Sequence, residues 1–125
     1  MKLPVGHQTI MPYLILEGAL QFIDFTKNVF KAETSGQQSL RDDGTVMHAE
    51  IRIDGSTMMV TDASEDWKKQ TANLFVYVPD ADATFEKAVQ AGATVLMPPG
   101  DQDYGRACGV TDPFGNVWWI TAVKK

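Results

Sequence analysis

The fold of this chain is indicated most clearly by its last stretch, "DPFGNVWWITAVKK" (residues 112–125). Proline at the second position and glycine at the fourth position of "DPFG" are typical of a type I turn, so this stretch predicts a turn followed by a final strand. Neighbouring residues of a strand point to opposite faces of a sheet. One of Trp118 and Trp119 must therefore enter a packed core, while the other faces a different surface.

A hairpin is the strongest signal upstream of this turn. In "VMHAEIRIDGSTMMVTD" (residues 46–62), two runs of strand-forming residues flank Asp54-Gly55, a dipeptide that readily adopts the positive φ values of a tight turn. Before the hairpin, "IMPYLIL" (residues 10–16) predicts a strand. The next segment, "EGALQFIDFTKNVF" (residues 17–30), predicts a helix with one broad apolar face.

The second half of the chain repeats the order of strand and helix. In "NLFVYVPDADATFEKAVQAG" (residues 73–92), Asp80 is a suitable N-cap and Gly92 suits the position after the helix. The dipeptide Pro98-Pro99 with its following glycine then predicts a break before the last hairpin. Shifting the chain by about 62 residues lays the first strand and helix over the second, in pattern rather than in identity.

Each half therefore reads as a strand, a helix and two or three more strands, which predicts an α+β fold of two similar modules in a single domain, residues 1–125. We expect module one at about residues 8–63, a linker at about 64–71 and module two at about 72–123. One such module leaves a sheet face bare, so the two modules are expected to bury surface against each other.

Composition narrows the class of protein. The chain has 125 residues, 44% of them hydrophobic, and a formal net charge of −5 without a basic stripe, so we expect no nucleic-acid partner. No apolar run is long enough for a membrane span or a signal peptide, and Cys108 is the single cysteine. We therefore expect a cytoplasmic protein without disulfides or membrane contact.

Three stretches, "MPYLILEGALQFIDF", "MHAEIRIDGSTMMVTD" and "YGRACGVTDPFGNVWWI", together resemble the vicinal oxygen chelate superfamily of glyoxalases, bleomycin resistance proteins and dioxygenases. The bacterial glyoxalase-like proteins are the most similar subgroup. The resemblance implies two tandem βαβββ modules that form an open, cupped mixed sheet with the helices on its outer face. It also implies a homodimer.

The resemblance further implies four metal-ligand positions, two in each module, which metal-dependent members fill with His, Glu or Gln. Carried onto this chain, they fall on Met11, on or next to Val60, on Asn73 and on Trp119. Methionine is a soft ligand, valine and tryptophan cannot coordinate, and asparagine offers one weak carbonyl oxygen. We therefore predict no metal at this site and no other cofactor.

If Trp119 stands at a former ligand position, its indole faces the cup and Trp118 packs beneath the helices. Strand alternation then predicts an apolar, aromatic cup, as small-molecule pockets commonly have. An alternative is that these same side chains fill the cup and leave no ligand site. The predicted lining consists of Met11, Tyr13, Met58, Val60, Asn73, Phe75, Tyr77, Val117 and Trp119.

Five further residues carry groups that could take part in chemistry. His48 and Glu50 share one strand face and could act as acid and base, although a solvated polar face is the favoured interpretation. His7 is expected to be flexible and unconnected, and the alternative of a site built from His7, His48 and Glu50 has no motif behind it. Arg106 could reach an acidic ligand group or a carboxylate of the partner chain, or form a surface ion pair. We expect Cys108 to be a buried, inert thiol.

The preferred hypothesis is a glyoxalase/bleomycin resistance-like protein without the family's metal site. It would bind a small, partly apolar molecule in the cup or in the dimer crevice. One alternative is an enzyme of the lyase or dioxygenase type, using unorthodox metal ligands or His48 and Glu50 as acid and base. A second alternative is a structural module with a filled cup and no ligand.

Overall fold

The computed structural model describes the backbone of all 125 residues and every side chain except that of Gln37. The chain alternates strands and helices in the order expected for two βαβββ modules. The elements are β1 (Tyr13–Leu16), α1 (Ala19–Phe30), β2 (Glu33–Leu40), β3 (Val46–Ile53), β4 (Ser56–Asp62), β5 (Asn73–Tyr77), α2 (Ala81–Gln90), β6 (Thr94–Gln102), β7 (Gly105–Thr111) and β8 (Val117–Val123).

The chain divides into two compact units. Unit 1 consists of Met1–Lys27 and Lys31–Thr71, and unit 2 consists of Asn28–Phe30 and Ala72–Lys125. Each unit holds one four-stranded mixed sheet, with the order β1-β4-β3-β2 in unit 1 and β5-β8-β7-β6 in unit 2. The pairs β1–β4 and β5–β8 are parallel, and the remaining pairs are antiparallel. The predicted α+β class and βαβββ order are confirmed.

In unit 1, a buried carboxylate joins the start of α1 to the sheet. The helix follows Gly18, whose φ is 90° and which has no side chain to cap the first turn. Asp62, at the end of β4, supplies the cap: its Oδ1 accepts hydrogen bonds from the backbone N–H groups of Gly18 and Ala19, at 3.1 and 2.8 Å. Its Oδ2 accepts a third from the N–H of Val46, at 2.7 Å. One side chain therefore fixes a helix and two strands.

In unit 2, Asp112 plays a similar role at the predicted "DPFG" turn. The N–H of Gly115 bonds the carbonyl of Asp112 at 3.2 Å, as a type I turn requires. The Asp112 carboxylate accepts from the N–H groups of Phe114 and Asn116, both at 2.9 Å. It also accepts from the Asn116 side chain at 3.0 Å and from the Trp118 indole at 2.8 Å.

Helix α2 begins as predicted and covers one face of its sheet. The carboxylate of Asp80 accepts a hydrogen bond from the N–H of Ala83, and Gly92 follows the helix with a φ of 103°. The helix packs against β6, β7 and β8. Buried side chains of β7 and β8 face it: Cys108, Val110, Trp118 and Ile120.

The predicted break at Pro98-Pro99 is wrong, because β6 runs through both prolines. The strand lies at the edge of the sheet, where a missing N–H leaves no partner strand unsatisfied. Its pairing with β7 shifts register between Met97 and Gly100. The prolines therefore distort the edge strand instead of ending it.

Neither α1 nor α2, the helices of the described residues, is long and apolar enough to cross a membrane.

Candidate functional site

On the sheet face opposite α2, here called the open face of unit 2, the indole of Trp119 is held in a fixed position. Its Nε1 donates a hydrogen bond to Oδ1 of Asn73, at 2.6 Å. On β7, the residue opposite Trp119 is Gly109, and a Cβ there would lie 2.5 Å from the indole Cζ3. The indole therefore lies across the backbone of Gly109, in space that only glycine leaves free.

Three exposed aromatic rings lie near one another in unit 2. Phe75 and Tyr77 follow Asn73 on the same face of β5 and are 52% and 63% exposed. Their ring centroids lie 5.2 Å apart in an edge-to-face arrangement, and the ring of Tyr104, also exposed, lies 6.3 Å from Phe75. We call Phe75, Tyr77, Tyr104 and Trp119 the aromatic surface. Exposed apolar rings grouped in this way are typical of a binding surface.

Trp118 occupies the other face of the same strand. It is 1% exposed, and its ring centroid lies 4.5 Å from that of Phe30. The structure thus places Trp118 in the core and Trp119 on the open face, as alternation predicts.

A pocket of about 380 Å³ lies in unit 1. This volume is in the range of small-molecule sites, roughly 300 to 1,000 Å³. Its walls combine aromatic and aliphatic side chains with one guanidinium. We call it the Arg41 pocket; it is lined by Tyr13, Ile15, Arg41, Met47, Thr61 and Trp67.

The predicted lining residues of module one divide between two faces. Tyr13 lines the Arg41 pocket and is 51% exposed, and Met11 is half-buried just before β1. Met58 and Val60 are only 5% and 0% exposed, because Val60 pairs with the buried Leu14 and shares its face. The predicted assignment of β4 residues to the two sheet faces is therefore wrong by one residue. Thr61, next to Val60, lines the pocket instead.

The four metal-ligand positions implied by the resemblance do not fit a divalent ion. The best donor among them, the Asn73 carbonyl oxygen, already accepts a hydrogen bond from the Trp119 indole. Val60 points into the core, and the thioether of Met11 is a poor ligand for hard cations. Among the described residues, no group of three or more His, Cys, Asp or Glu side chains is arranged to hold a metal.

Glu50 joins both histidines of the chain in unit 1. Its Oε1 lies 2.9 Å from Nε2 of His7, and its Oε2 lies 3.2 Å from Nε2 of His48. The prediction of an unconnected His7 is therefore wrong. The next residue, Gln8, forms two hydrogen bonds with the backbone of Thr57 and holds the N-terminal segment on the sheet. Sequence could not show this contact, since His7 and Glu50 are 43 positions apart.

The ionisation of Glu50 reflects this arrangement. Partial burial raises its pKa, but the hydrogen bonds from His7 and His48 outweigh burial and leave the pKa below the ordinary value of 4.5. The ionised carboxylate therefore stabilises the folded protein above that value. This contribution is lost as the pH falls through the lowered pKa.

We expect Glu50→Gln to lower the free energy of unfolding at pH 7, and to lower it progressively less as the pH falls below 4.5. Urea unfolding of wild type and variant over a pH series measures this difference. Glu65→Gln, at an exposed glutamate, is the control and should show no such trend. A difference between wild type and Glu50→Gln that is independent of pH would contradict the assignment.

Arg106 lies on the α2 side of its sheet and not with the aromatic surface. Its Nε and Nη2 donate to the two carboxylate oxygens of Asp82, each at 3.1 Å, and its Nη1 donates to Asp101 at 3.3 Å. The two hydrogen bonds from Arg106 to Asp82 lower the pKa of the Asp82 carboxyl. Of the two predicted roles, the structure shows the ion pair.

Cys108 is fully buried, and burial raises the pKa of its thiol to about 11. A thiol that stays protonated at neutral pH is a poor nucleophile. The placement agrees with the expected inert thiol.

Sequence reasoning missed Arg41 and Trp67 as pocket residues. Both lie in polar segments between strands, where an arginine or a tryptophan has no periodic pattern to mark its direction. From the sequence, Trp67 is expected to anchor the linker on the surface; in the structure it is 64% exposed and lines a pocket. A large exposed indole in a polar loop was the available signal.

Comparison with known proteins identifies relatives in sequence and in fold. The uncharacterized protein Mb0911c of Mycobacterium bovis is 35% identical over 121 residues, covering 87% of this chain and 79% of its own. Among solved structures, TioX from Micromonospora sp. ML1 has a TM-score of 0.74 at 24% identity, covering 94% of this chain and 98% of that chain. TnmS3, an antibiotic binding protein from Streptomyces sp. CB03234, has a TM-score of 0.71 at 17% identity, covering 94% of this chain and all of that chain.

A family model described as the Glyoxalase/Bleomycin resistance protein/Dioxygenase superfamily matches residues 19–120. The match begins at the first residue of α1 and ends within β8, so it includes both βαβββ repeats apart from β1. The chain therefore belongs to the Glyoxalase/Bleomycin resistance protein/Dioxygenase superfamily.

Proposed function

We propose that this protein binds a small, partly apolar molecule without reacting with it. The observation that carries the proposal is the aromatic surface, where Phe75, Tyr77 and Tyr104 are each more than half exposed beside Trp119. Water contact at these rings is unfavourable, and a planar ligand that covers them gains apolar burial and ring contacts. The fold shared with TnmS3, an antibiotic binding protein, supports the same class of function.

The Trp119 indole is well suited to such binding because it is already ordered. Its hydrogen bond to Asn73 and its position across Gly109 restrict the ring before any ligand arrives. A ligand therefore does not have to immobilise this side chain, which lowers the entropic cost of binding. The polar tips of Tyr77 and Asn73 provide hydrogen-bonding groups at the edge of the surface.

A thermal-shift screen with planar aromatic compounds tests the proposal. We expect some compounds to raise the melting temperature of the wild type, since a ligand of the native state stabilises it. The double variant Phe75→Ala/Tyr77→Ala should bind the same compounds with at least about tenfold lower affinity, measured from the concentration dependence of the thermal shift, because it loses two stacking partners. Leu96→Ala, which removes an exposed apolar side chain on β6, should respond like the wild type.

Two results would refute the proposal. One is a screen in which no planar compound stabilises the wild type. The other is a double variant that binds every active compound with wild-type affinity. Gly109→Ala adds a positional check, since a methyl group there forces the indole to move and should weaken compounds that contact Trp119.

A catalytic role is the second candidate, and the contact of Glu50 with His7 and His48 favours it. A carboxylate that orients an imidazole is a common arrangement for general acid–base chemistry. His48 is the more exposed of the two rings, with 32% of its side chain accessible. Conversion of a bound compound by the wild type, lost in both His48→Gln and Glu50→Gln, would support the catalytic role. Binding of that compound without conversion favours the proposed ligand-binding function.

We also propose that the protein is a cytoplasmic homodimer: the compartment is expected from the composition, and the dimer from the resemblance to the superfamily. The buried, unpaired state of Cys108 is compatible with a reducing compartment. Sedimentation analysis of the purified chain tests the dimer, and a monomer at micromolar concentration would refute it.

A further inference from the structure

We propose that the Arg41 pocket binds a small aromatic carboxylic acid, with the carboxylate on the guanidinium of Arg41 and the ring against the apolar walls. This inference names a ligand class and a second surface for the proposed function, and it rests on that function only in requiring that small aromatic molecules bind. The pocket lies wholly in unit 1, whereas the aromatic surface lies in unit 2.

The guanidinium of Arg41 is a cation without a paired anion. Its hydrogen bonds within the described residues go to neutral oxygens: Nη1 donates to Thr45 Oγ1 at 3.1 Å, and Nη2 donates to Thr61 Oγ1 at 3.2 Å and to the Asp62 carbonyl at 3.0 Å. Within the described part of the chain, no carboxylate oxygen lies within 4.0 Å of it. In a protein of net charge −5, such a half-buried cation is available to an external anion.

Asp43, in the same turn, is engaged mainly by Thr45, and the charge of Arg41 further helps to lower the pKa of its carboxyl. The Asp43 carboxylate accepts hydrogen bonds from the N–H of Thr45 at 2.9 Å and from its hydroxyl at 2.6 Å. The same hydroxyl accepts from Arg41, so the turn holds the guanidinium through Thr45. Backbone hydrogen bonds between Arg41 and Thr45 at 2.8 Å, and between Gly44 and Arg41 at 2.9 Å, fix the turn itself. The cation is thus pre-organised, as a binding group should be.

The number of free donors indicates a carboxylate. A guanidinium has five N–H groups, and three of those on Arg41 are used within the protein. One N–H on Nε and one on Nη1 remain for a ligand. They lie on different edges of the guanidinium, so each can bond one ligand oxygen but together they form no fork, which suits a singly charged carboxylate better than a phosphate dianion with three acceptor oxygens. The apolar walls further favour a ligand that carries only one charge.

The walls indicate the rest of the ligand. Tyr13, Met47 and Trp67 are each more than half exposed, although they are large and apolar. The loop that carries Trp67 is held to Ser64 by hydrogen bonds of 2.8 and 3.2 Å, so the indole lies on an ordered turn. A volume of about 380 Å³ suits a molecule of one or two fused rings.

Matched probes test the charge of the ligand directly. Isothermal titration of the wild type compares 2-naphthoate, the neutral 2-naphthamide of nearly the same shape, and the cationic 2-naphthylmethylammonium. We expect the carboxylate to bind at least about tenfold more tightly than the amide, since hydrogen bonds to a charged group are the stronger ones. The cation should bind most weakly.

Two variants locate the site. Arg41→Gln should abolish the preference for the carboxylate while leaving the amide's affinity nearly unchanged, and Trp67→Ala should weaken both probes about tenfold. Lys87→Gln, on α2, makes the same charge change at a residue that does not line the pocket and should keep the preference. Chemical shifts of the Trp67 indole N–H, followed during the titration, report binding without depending on any variant.

Equal affinities of the wild type for the acid and the amide, or tightest binding of the cation, would overturn the inference and leave the proposed function intact. An acid preference that survives Arg41→Gln with unchanged Trp67 shifts would also overturn it. If no planar compound binds at all, both proposals fail. A merely structural Arg41, which only ties the turn to β4, predicts a lower melting temperature for Arg41→Gln with an unchanged ratio of the two affinities.

Discussion

Replacing Asp112 with alanine is expected to lower the free energy of unfolding by about 3–5 kcal/mol, because several buried donors lose a charged acceptor and each unsatisfied donor costs about 1–3 kcal/mol. The carboxylate is 4% exposed and accepts four hydrogen bonds. Alanine would leave the donors of Phe114, Asn116 and Trp118 without this partner. The Trp118 indole would lose the hydrogen bond that anchors its polar edge in the core.

Urea unfolding measures the loss, and near-ultraviolet circular dichroism reports the environment of Trp118. Asp112→Asn should fall between wild type and alanine, because one amide oxygen still serves the two backbone N–H groups while the amide nitrogen meets two other donors. Asp103→Ala, at an exposed turn position, is the control and should change stability by less than about 0.5 kcal/mol. A loss below about 1 kcal/mol for Asp112→Ala would contradict the role assigned to this carboxylate.

Asp62→Ala is expected to cost about 2–4 kcal/mol, because it removes a helix cap and leaves a buried strand N–H unpaired. Gly18 and Ala19 lose the acceptor at the start of α1, and Val46 loses its acceptor at the start of β3. No side chain at the helix start replaces it, since Gly18 has none.

The second helix provides a matched comparison. Asp80 caps α2 through one exposed hydrogen bond of 3.1 Å, so Asp80→Ala should cost only about 1 kcal/mol. Chemical denaturation of both variants, with amide hydrogen exchange across α1, checks the difference. Equal losses for Asp62→Ala and Asp80→Ala would show that burial and the third hydrogen bond of Asp62 add nothing.

The features predicted correctly depend on short stretches of sequence. The turn at Asp54-Gly55, the Asp80 cap and the "DPFG" turn are each decided by a few neighbouring residues with defined backbone preferences. The repeated strand–helix pattern then fixed the order of elements, and both helices begin at the aligned residues Ala19 and Ala81.

The features that were missed depend on distant contacts or on the phase of a strand. Asp62 and the start of α1 are more than 40 residues apart, so no local pattern marks Asp62 as a cap. A slip of one residue in β4 exchanges its two faces, which is why Val60 was assigned to the ligand surface. The Pro98-Pro99 pair was expected to end a strand, because its edge position is decided only by the complete sheet.

The candidate site was predictable in part for the same reasons. The opposite directions of Trp118 and Trp119 follow from alternation within one strand, and the structure shows both. The Arg41 pocket combines a turn residue, a loop residue and three strands, and such a combination appears only when the sheet is assembled.

The contact between Gly109 and Trp119 couples two positions on neighbouring strands. The indole at position 119 keeps its present place only while position 109 lacks a side chain, whereas glycine at 109 is compatible with any smaller residue at 119. Tolerance to substitution is therefore expected to be one-sided: position 119 can change with Gly109 in place, whereas any side chain at 109 requires the indole to swing elsewhere.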